Sequence, residues 1–251
     1  MSDFDIFEGM TSISAVIKSI QNGSSNRKIV KILYNQERLS KKFRELSFLK
    51  HSAEALGFEI IPVDACEIDS LTSGTTHGGI IAICTHRTFS SLNVKNLTSG
   101  GFYALIEGIE DPYNFGYSVR SLYASGVDGI ILPPRNWMEL SGTVARSSAG
   151  TSELANIYVS DPVDAVTTLK NAGFEIACAE IRNSVSIYDH TFSDAVLLVI
   201  GGEKRGISRK ILELADTNVR IDYGREFMGS LPSASAISVI SFEILRQKRN
   251  K

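Results

Sequence analysis

Short apolar runs separated by helical segments constrain this chain most strongly. The run DAVLLVIGG at 194–202 carries apolar side chains at consecutive positions, and FYALIEGI at 102–109 and VDGIILPP at 127–134 are similar. A strand that is apolar on both faces must be covered on both, which is typical of parallel sheets flanked by helices. An amphipathic helical pattern lies between two such runs, at DPVDAVTTLKNAG. The sequence therefore predicts an α/β fold with a largely parallel sheet.

A change in composition divides the chain. Helical and strand-like patterns alternate up to about residue 88, and a polar stretch without periodicity follows, HRTFSSLNVKNLTSGG. The α/β pattern then resumes. We expect a small α/β domain at 1–88, a linker at 89–100 and a larger domain at 101–251.

Cysteine spacing and hydropathy exclude several classes of protein. The three cysteines, Cys66, Cys84 and Cys178, lie far apart, and no Cys or His spacing fits a zinc site, so we expect no metal. The start MSDFDIFEG lacks the apolar core of a signal peptide, and no apolar run approaches the roughly 18 residues of a membrane span. We expect a cytoplasmic protein without a membrane partner.

Positive charge is concentrated near the N-terminus, although the whole chain has a net charge of −2. Residues 24–50 contain eight Lys or Arg and two Glu. The patch is either a solvated helix face or a surface that contacts phosphates. For the second interpretation, the candidate contact residues are Arg27, Lys28, Lys41, Lys42 and Arg44.

Three segments follow strand ends, where ligands of parallel sheets bind. They are DPYNFGYSVR at 111–120, GGEKRG at 201–206 and MGSLPSASA at 228–236. The second fits neither GxGxxG nor the phosphate-binding P-loop, which disfavours a dinucleotide-dependent oxidoreductase. Taken alone, each also has a structural interpretation: a surface arginine, a strand-to-helix turn and a helix cap.

The order and context of these segments resemble the SpoU, or TrmH-type, RNA ribose 2′-O-methyltransferases of the SPOUT superfamily. The family pattern is roughly NPxNxGxxxRTAxxxG, SAGA, GxExxG and IPMxGxxxSLNVSVA. The matching stretches here are IEDPYNFGYSVRSLYASGVDGIIL, RSSAGTSE, LLVIGGEKRGIS and VRIDYGREFMGSLPSASAISVISFEILRQ. The N-terminal third resembles the substrate-binding domain that precedes the catalytic domain in many members.

This resemblance implies a trefoil-knotted catalytic domain after a small α/β substrate-binding domain. It implies a homodimer that binds S-adenosylmethionine and methylates ribosomal or transfer RNA. Carried over motif by motif, it makes Asn114, Arg120 and Glu203 the catalytic residues. The implied cofactor-binding residues are Gly201, Gly202, Gly206, Ile221, Ser230 and Leu231, with Ile221 and Leu231 framing the adenine.

The family proposal makes the arginine, here Arg120, the base that takes the hydroxyl proton. A guanidinium stays protonated up to about pH 12, which makes it a poor base. We therefore expect Arg120 to grip an RNA phosphate and orient the ribose hydroxyl, with Glu203 holding the arginine in place.

The third motif departs from the family pattern. Pro232 occupies the position of the family asparagine, and SASA replaces VSVA. Two hypotheses stay open: a divergent but active enzyme that uses Ser230, Ser233 or Ser235, or a paralogue that binds RNA and cofactor with little or no turnover.

Overall fold

The structure is a computed structural model that describes residues 4–39, 42–72, 76–134, 141–202 and 204–250. The chain forms two compact units. The first comprises Met1–Thr88 and Asn136–Leu154, and the second comprises Phe89–Arg135 and Ala155–Lys251. The first unit therefore also contains a segment from the range assigned by sequence to the larger domain.

Helices and strands alternate along the described residues. Up to residue 84 they are β1 (Asp5–Glu8), α1 (Gly9–Gln21), β2 (Ile29–Asn35), α2 (Gln36–Leu39), α3 (Phe43–Leu56), β3 (Glu59–Val63), α4 (Ala65–Leu71) and β4 (Ile80–Cys84). Then follow β5 (Ser90–Ser91), β6 (Phe102–Ile106), α5 (Pro112–Ala124), β7 (Gly129–Leu132), α6 (Ser141–Ser147), α7 (Thr151–Leu154) and β8 (Ile157–Val159). The last are α8 (Pro162–Asn171), β9 (Glu175–Ala179), β10 (Val185–Ser186), β11 (Val196–Ile200), α9 (Arg209–Leu212), β12 (Thr217–Arg220) and α10 (Ser233–Arg249). A short 3-10 helix spans Val94–Asn96, within the range predicted as a linker.

The first unit contains a four-stranded mixed sheet in the order β1-β4-β2-β3. Strand β4 is antiparallel to β1 and β2, whereas β2 and β3 are parallel. Helices α6 and α7 pack within this unit, α6 against β1 and α7 against α1. At the first of these contacts, a Cβ added to Gly142 would lie 2.2 Å from the Ile6 carbonyl oxygen, so only glycine fits there.

The second unit contains an eight-stranded sheet in the order β10-β12-β9-β11-β6-β7-β8-β5. Every described pair of neighbouring strands in it is parallel. The central strands β6 and β11 are buried along their whole length. Each large apolar side chain buried there stabilises the fold by about 1.5–3 kcal/mol. The predicted parallel α/β sheet is confirmed.

A buried ionic cluster lies in the first unit. The Arg27 side chain, 2 % exposed, contacts the Asp5 carboxylate and donates its Nε–H to Glu153 Oε2 at 2.8 Å. It also donates to the Thr85 carbonyl at 2.8 Å and lies 4.8 Å from the centre of the Phe7 ring. Arg27 therefore does not belong to the surface patch. The sequence predicted a phosphate contact here, and this assignment is corrected because buried carboxylates already neutralise the guanidinium.

Within the described residues, none of the helices combines the length and the hydropathy that crossing a membrane requires.

Candidate functional site

Two loops meet at the carboxyl edge of the parallel sheet. Strands β6 and β11 are neighbours and end in register at Ile106 and Ile200. The Glu107 N–H donates to the Ile200 carbonyl at 2.9 Å, and Glu107 Oε2 accepts the Ser208 N–H at 2.9 Å. One residue thus ties the loop after β6 to the loop after β11, where parallel sheets bind ligands.

The glycines of the loop after β11 allow close backbone contacts. A Cβ added to Gly202 would lie 2.2 Å from the Gly108 carbonyl oxygen, and one added to Gly201 would lie 2.2 Å from the Gly206 carbonyl carbon. Gly206 has a positive φ of 63°, which favours glycine, and its N–H donates to the Gly202 carbonyl at 2.9 Å. The close contacts between backbone segments therefore require glycine at positions 201 and 202, and the positive φ favours it at position 206.

A cavity of about 470 Å³ opens beside these loops, and we call it the larger cavity. The ends of β9, β11 and β12 and the start of α10 form its walls. All six residues assigned to the cofactor by the resemblance line it: Gly201, Gly202, Gly206, Ile221, Ser230 and Leu231. The structure thus brings together residues from two distant motifs.

The walls of the larger cavity combine apolar and polar groups. Ile200, Ile221 and Ile240 are apolar, and Ser230 and Ser233 supply hydroxyl groups. The Leu231 N–H donates to the Tyr223 hydroxyl at 3.1 Å. Cavities of about 300–1,000 Å³ with this mixture are typical small-molecule sites. The residues present fit an adenosine-type ligand, which needs an apolar slot for a base and polar groups for a ribose.

A cavity of about 380 Å³ adjoins the larger one, and we call it the smaller cavity. Gly202 and Gly206 line both. Its remaining walls come from the loop after β6, from the first turn of α5, which includes Asn114, and from Lys204, Arg205 and Ser208 of the loop after β11. Helix α5 begins here because Asp111 Oδ1 accepts the Asn114 N–H at 2.8 Å and Pro112 occupies a first-turn position.

The three predicted catalytic residues have different placements. Asn114 lines the smaller cavity. Arg120 lies two turns further along α5, is exposed and lines neither cavity. Glu203 lies outside the described residues, so its predicted pairing with Arg120 stays a prediction.

The predicted basic patch is partly exposed. Lys28, Lys42 and Arg44 are exposed, and Lys42 Nζ lies 3.3 Å from Glu45 Oε2. Lys41 lies outside the described residues. Arg27 is buried. Among the described residues, the exposed members of the predicted set are therefore Lys28, Lys42 and Arg44.

Cysteine chemistry does not serve this site. Cys178 lies on β9, and burial raises the pKa of its thiol to about 12, with Glu107, Glu180 and Asp216 acting in the same direction. The thiolate is the nucleophilic form of cysteine, so Cys178 is not a nucleophile near neutral pH.

Sequence reasoning missed Glu107 and Tyr223 at the site. Glu107 is the first residue after a wholly apolar strand, and a carboxylate at such a position is a signal that could have revealed it. Tyr223 lies in IDYGREF, where this chain departs from the family pattern.

Comparisons with known proteins show which proteins this chain is similar to. Residues 101–242 match the model of the SpoU rRNA Methylase family, and residues 7–90 match the model named RNA 2′-O ribose methyltransferase substrate binding. A relative from Staphylococcus haemolyticus, assigned to the TrmH family of tRNA/rRNA methyltransferases, is 26 % identical over 240 residues, 93 % of each chain.

Two solved structures share the fold. The AdoMet-bound rRNA methyltransferase from Sinorhizobium meliloti has a TM-score of 0.78 at 21 % identity, covering 97 % of this chain and 87 % of that one. The SpoU methyltransferase AviRb from Streptomyces viridochromogenes, in complex with AdoMet, also has a TM-score of 0.78 at 21 % identity, covering 98 % and 91 %. With the family model matching more than half of its length, this chain belongs to the SpoU rRNA methylase family.

Proposed function

We propose that this methyltransferase transfers the methyl group of S-adenosylmethionine to a ribose 2′-hydroxyl in ribosomal or transfer RNA. One observation carries the proposal. The six residues assigned to the cofactor line one cavity, and Asn114 lines the cavity beside it. A methyl donor in the first would thus lie next to a nucleotide in the second.

The residues of the larger cavity have separate roles in this proposal. Ile221 and Leu231 hold the adenine, Ser230 offers a hydroxyl, and the backbone of Gly201 and Gly202 lies against the ligand. The bound cofactor supplies an electrophilic methyl group on a sulfonium. The protein positions the ribose hydroxyl in line with that methyl group, and positioning alone contributes greatly to such displacements.

Mapping 2′-O-methyl groups in RNA from cells with and without the protein tests this function. We expect at least one ribose to lose its methyl group when the protein is absent. Calorimetry should show binding of S-adenosylmethionine and none of NAD. An unchanged methylation map, together with no transfer of tritiated methyl to total RNA, would contradict the proposal.

Pro232 supports a second candidate, a paralogue that binds RNA and cofactor with little turnover. This residue lines the larger cavity directly before α10 and has no side-chain donor where the family has asparagine. Ser230 and Ser233 line the same cavity, and the Ser233 hydroxyl donates to the Gly201 carbonyl at 3.4 Å. These hydroxyls support the active enzyme, and the tritium assay separates the two candidates.

Gly202→Ala is expected to weaken binding of S-adenosylmethionine about 10- to 100-fold. The added Cβ would lie 2.2 Å from the Gly108 carbonyl oxygen, so the two loops must separate, at a cost of about 1–3 kcal/mol. Gly224→Ala is the matched control, because its Cβ would meet no atom within 4 Å. Calorimetry measures both affinities, and equal loss in the two variants would contradict the role of Gly202.

The exposed basic patch of the first unit is proposed to dock the RNA backbone. Lys42→Glu combined with Arg44→Glu should weaken RNA binding and flatten its salt dependence, by a log–log slope of about 0.7 per lost phosphate contact. Lys18→Glu on α1 is the control, because Lys18 is an exposed cation outside the patch. Filter binding over a salt series measures the slope, and an unchanged slope in the double variant would remove the patch from the proposal.

We also propose a homodimer that uses the face shared by α5 and α10. These helices pack together, and Ser121 Oγ lies 2.7 Å from Ser238 Oγ. Tyr117 on α5 and Phe242 on α10 are large exposed aromatic side chains on these helices. Exposed apolar surface of this kind often marks a protein interface. Light scattering that gives the mass of a single 27.4 kDa chain would contradict the dimer.

The trefoil knot implied by the resemblance belongs to the proposal as well. The start of α10 reaches Gly201 at the end of β11 through Ser233, which is compatible with a C-terminal segment threaded beside that strand. A backbone trace from a crystal structure tests it directly.

A further inference from the structure

The smaller cavity contains chemistry that the methyl transfer itself does not require. Its walls include the Glu107 carboxylate, the buried side chain of Ile109 and the hydroxyl-bearing Ser208. Lys204 and Arg205 also line it, and both are exposed. Two exposed acidic residues, Glu110 and Asp111, line it as well, and Lys204 Nζ lies 3.5 Å from Glu110 Oε2. The cavity therefore has an acidic and apolar interior and a rim of mixed charge that includes two exposed cations.

Glu107 is held in a fixed position. Its backbone N–H is bonded to Ile200, and its Oε2 accepts the Ser208 N–H. Within the described residues, no protein group donates to its other oxygen, Oε1. A half-buried carboxylate oriented in this way leaves one oxygen to accept a hydrogen bond from a ligand.

The charges determine which end of a nucleotide enters. A phosphate would be repelled by Glu107 and attracted by Arg205 and by Lys204, whose charge Glu110 partly neutralises. The phosphate therefore lies at the exposed cations, with Arg205 as its main partner. The base then faces Glu107 and Ile109. A carboxylate pairs with an exocyclic amino group, such as N4 of cytosine, and a carbonyl oxygen offers it no proton.

We propose that the smaller cavity holds the base of the target nucleotide and that Glu107 selects a base with an exocyclic amino group. This inference rests on the proposed function and adds its base specificity. Glu107 acts by accepting a hydrogen bond from the base and takes no part in the transfer of the methyl group.

Equilibrium binding of nucleoside 5′-monophosphates tests the inference without methyl transfer. The probes form three pairs in which one member has the exocyclic amino group and the other lacks it: guanosine and inosine, cytidine and uridine, and adenosine and purine riboside monophosphates. The first and third pairs differ at that group alone, whereas uridine also gains a ring N–H. In at least one pair, we expect the member with the amino group to bind about tenfold more tightly. Equal binding within all three pairs, or no binding of any probe, would overturn the proposal.

Glu107→Gln sharpens the test. Its amide oxygen can still accept the Ser208 N–H, whereas its NH₂ group replaces the free acceptor. We expect the preference within the pair to fall to about twofold or less. Glu213→Gln is the control, because Glu213 is an exposed carboxylate of the second unit that lines neither cavity. Its preference should match that of the wild type.

The outcomes separate the inference from the proposed function. If Glu107→Gln keeps the wild-type preference and its thermal melting is unchanged, Glu107 does not read the base. If wild type shows the preference but labels no RNA, the base pocket stands and the methyl-transfer proposal fails. If the wild type labels RNA but shows no preference within any pair, the methyl-transfer proposal stands and the base-pocket proposal fails.

Discussion

Replacing Arg120 with alanine is expected to lower methyl transfer to RNA about 100- to 1,000-fold while the affinity for S-adenosylmethionine stays unchanged. The proposed role of Arg120 is to grip an RNA phosphate and orient the ribose hydroxyl, and losing such positioning can lower a rate by about 100-fold or more. Arg120 lines neither cavity, so its loss should leave the walls of the proposed cofactor site intact. Single-turnover transfer of tritiated methyl and calorimetry measure the two quantities.

Two variants and a mass measurement complete the Arg120 experiment. Arg120→Lys keeps the positive charge but cannot bind a phosphate bidentately, so its activity should stay close to that of the alanine variant. Arg209→Ala removes another exposed arginine of the second unit, whose Nε–H is bonded to Glu213 at 2.9 Å, and should remain fully active. Because Arg120 lies on a helix of the proposed dimer face, light scattering must show that the alanine variant keeps the wild-type mass. Full activity of Arg120→Ala would contradict the assignment.

Replacing Arg27 with methionine is expected to lower the free energy of unfolding by about 3–5 kcal/mol. The change leaves the buried carboxylates of Asp5 and Glu153 without the guanidinium that bridges them, although His86 Nδ1 remains 3.0 Å from Asp5 Oδ1. Removing one partner of a buried ionic cluster costs this much. Although burial opposes the charge, Glu153 and Asp5 raise the pKa of the Arg27 guanidinium above its ordinary value. Urea unfolding measures the difference.

Lys28→Met is the control for Arg27, because Lys28 is the next residue and is exposed. Its effect should stay within about 0.5 kcal/mol. Neutralising both carboxylates in the Arg27→Met background, with Asp5→Asn and Glu153→Gln, should restore part of the lost stability. A loss below about 1 kcal/mol in the single variant would show that the ionic cluster contributes little.

Local signals in the sequence predicted much of the second unit. The predicted strand DAVLLVIGG contains β11, and the Asp-Pro pair at 111–112 marks the beginning of α5. Both depend on neighbouring residues, since hydrophobic periodicity and helix capping act over a few positions. The order of the family motifs led to the six residues assigned to the cofactor, and the structure places all six in the wall of the larger cavity.

The failure at Arg27 has a long-range cause. The residue lies in a basic stretch, and its partner Glu153 is 126 positions away. Composition shows that Arg27 is charged. Its burial, however, depends on the contact with Glu153, which no local sequence pattern predicts. The sequence analysis missed for the same reason that α6 and α7 belong to the first unit. In the sequence these helices come between β7 and β8, which are both strands of the second unit.

The same arrangement has a consequence for synthesis of the protein. Proteins of several domains commonly fold from the N-terminus while the ribosome is still translating. Here the carboxylate of Glu153 and the helices at 141–154 reach the first unit only after β6, α5 and β7 have been made. Nascent chains shorter than this therefore carry Arg27 without one of its two carboxylate partners, and the N-terminal unit cannot reach its final form until residue 154 has left the ribosome.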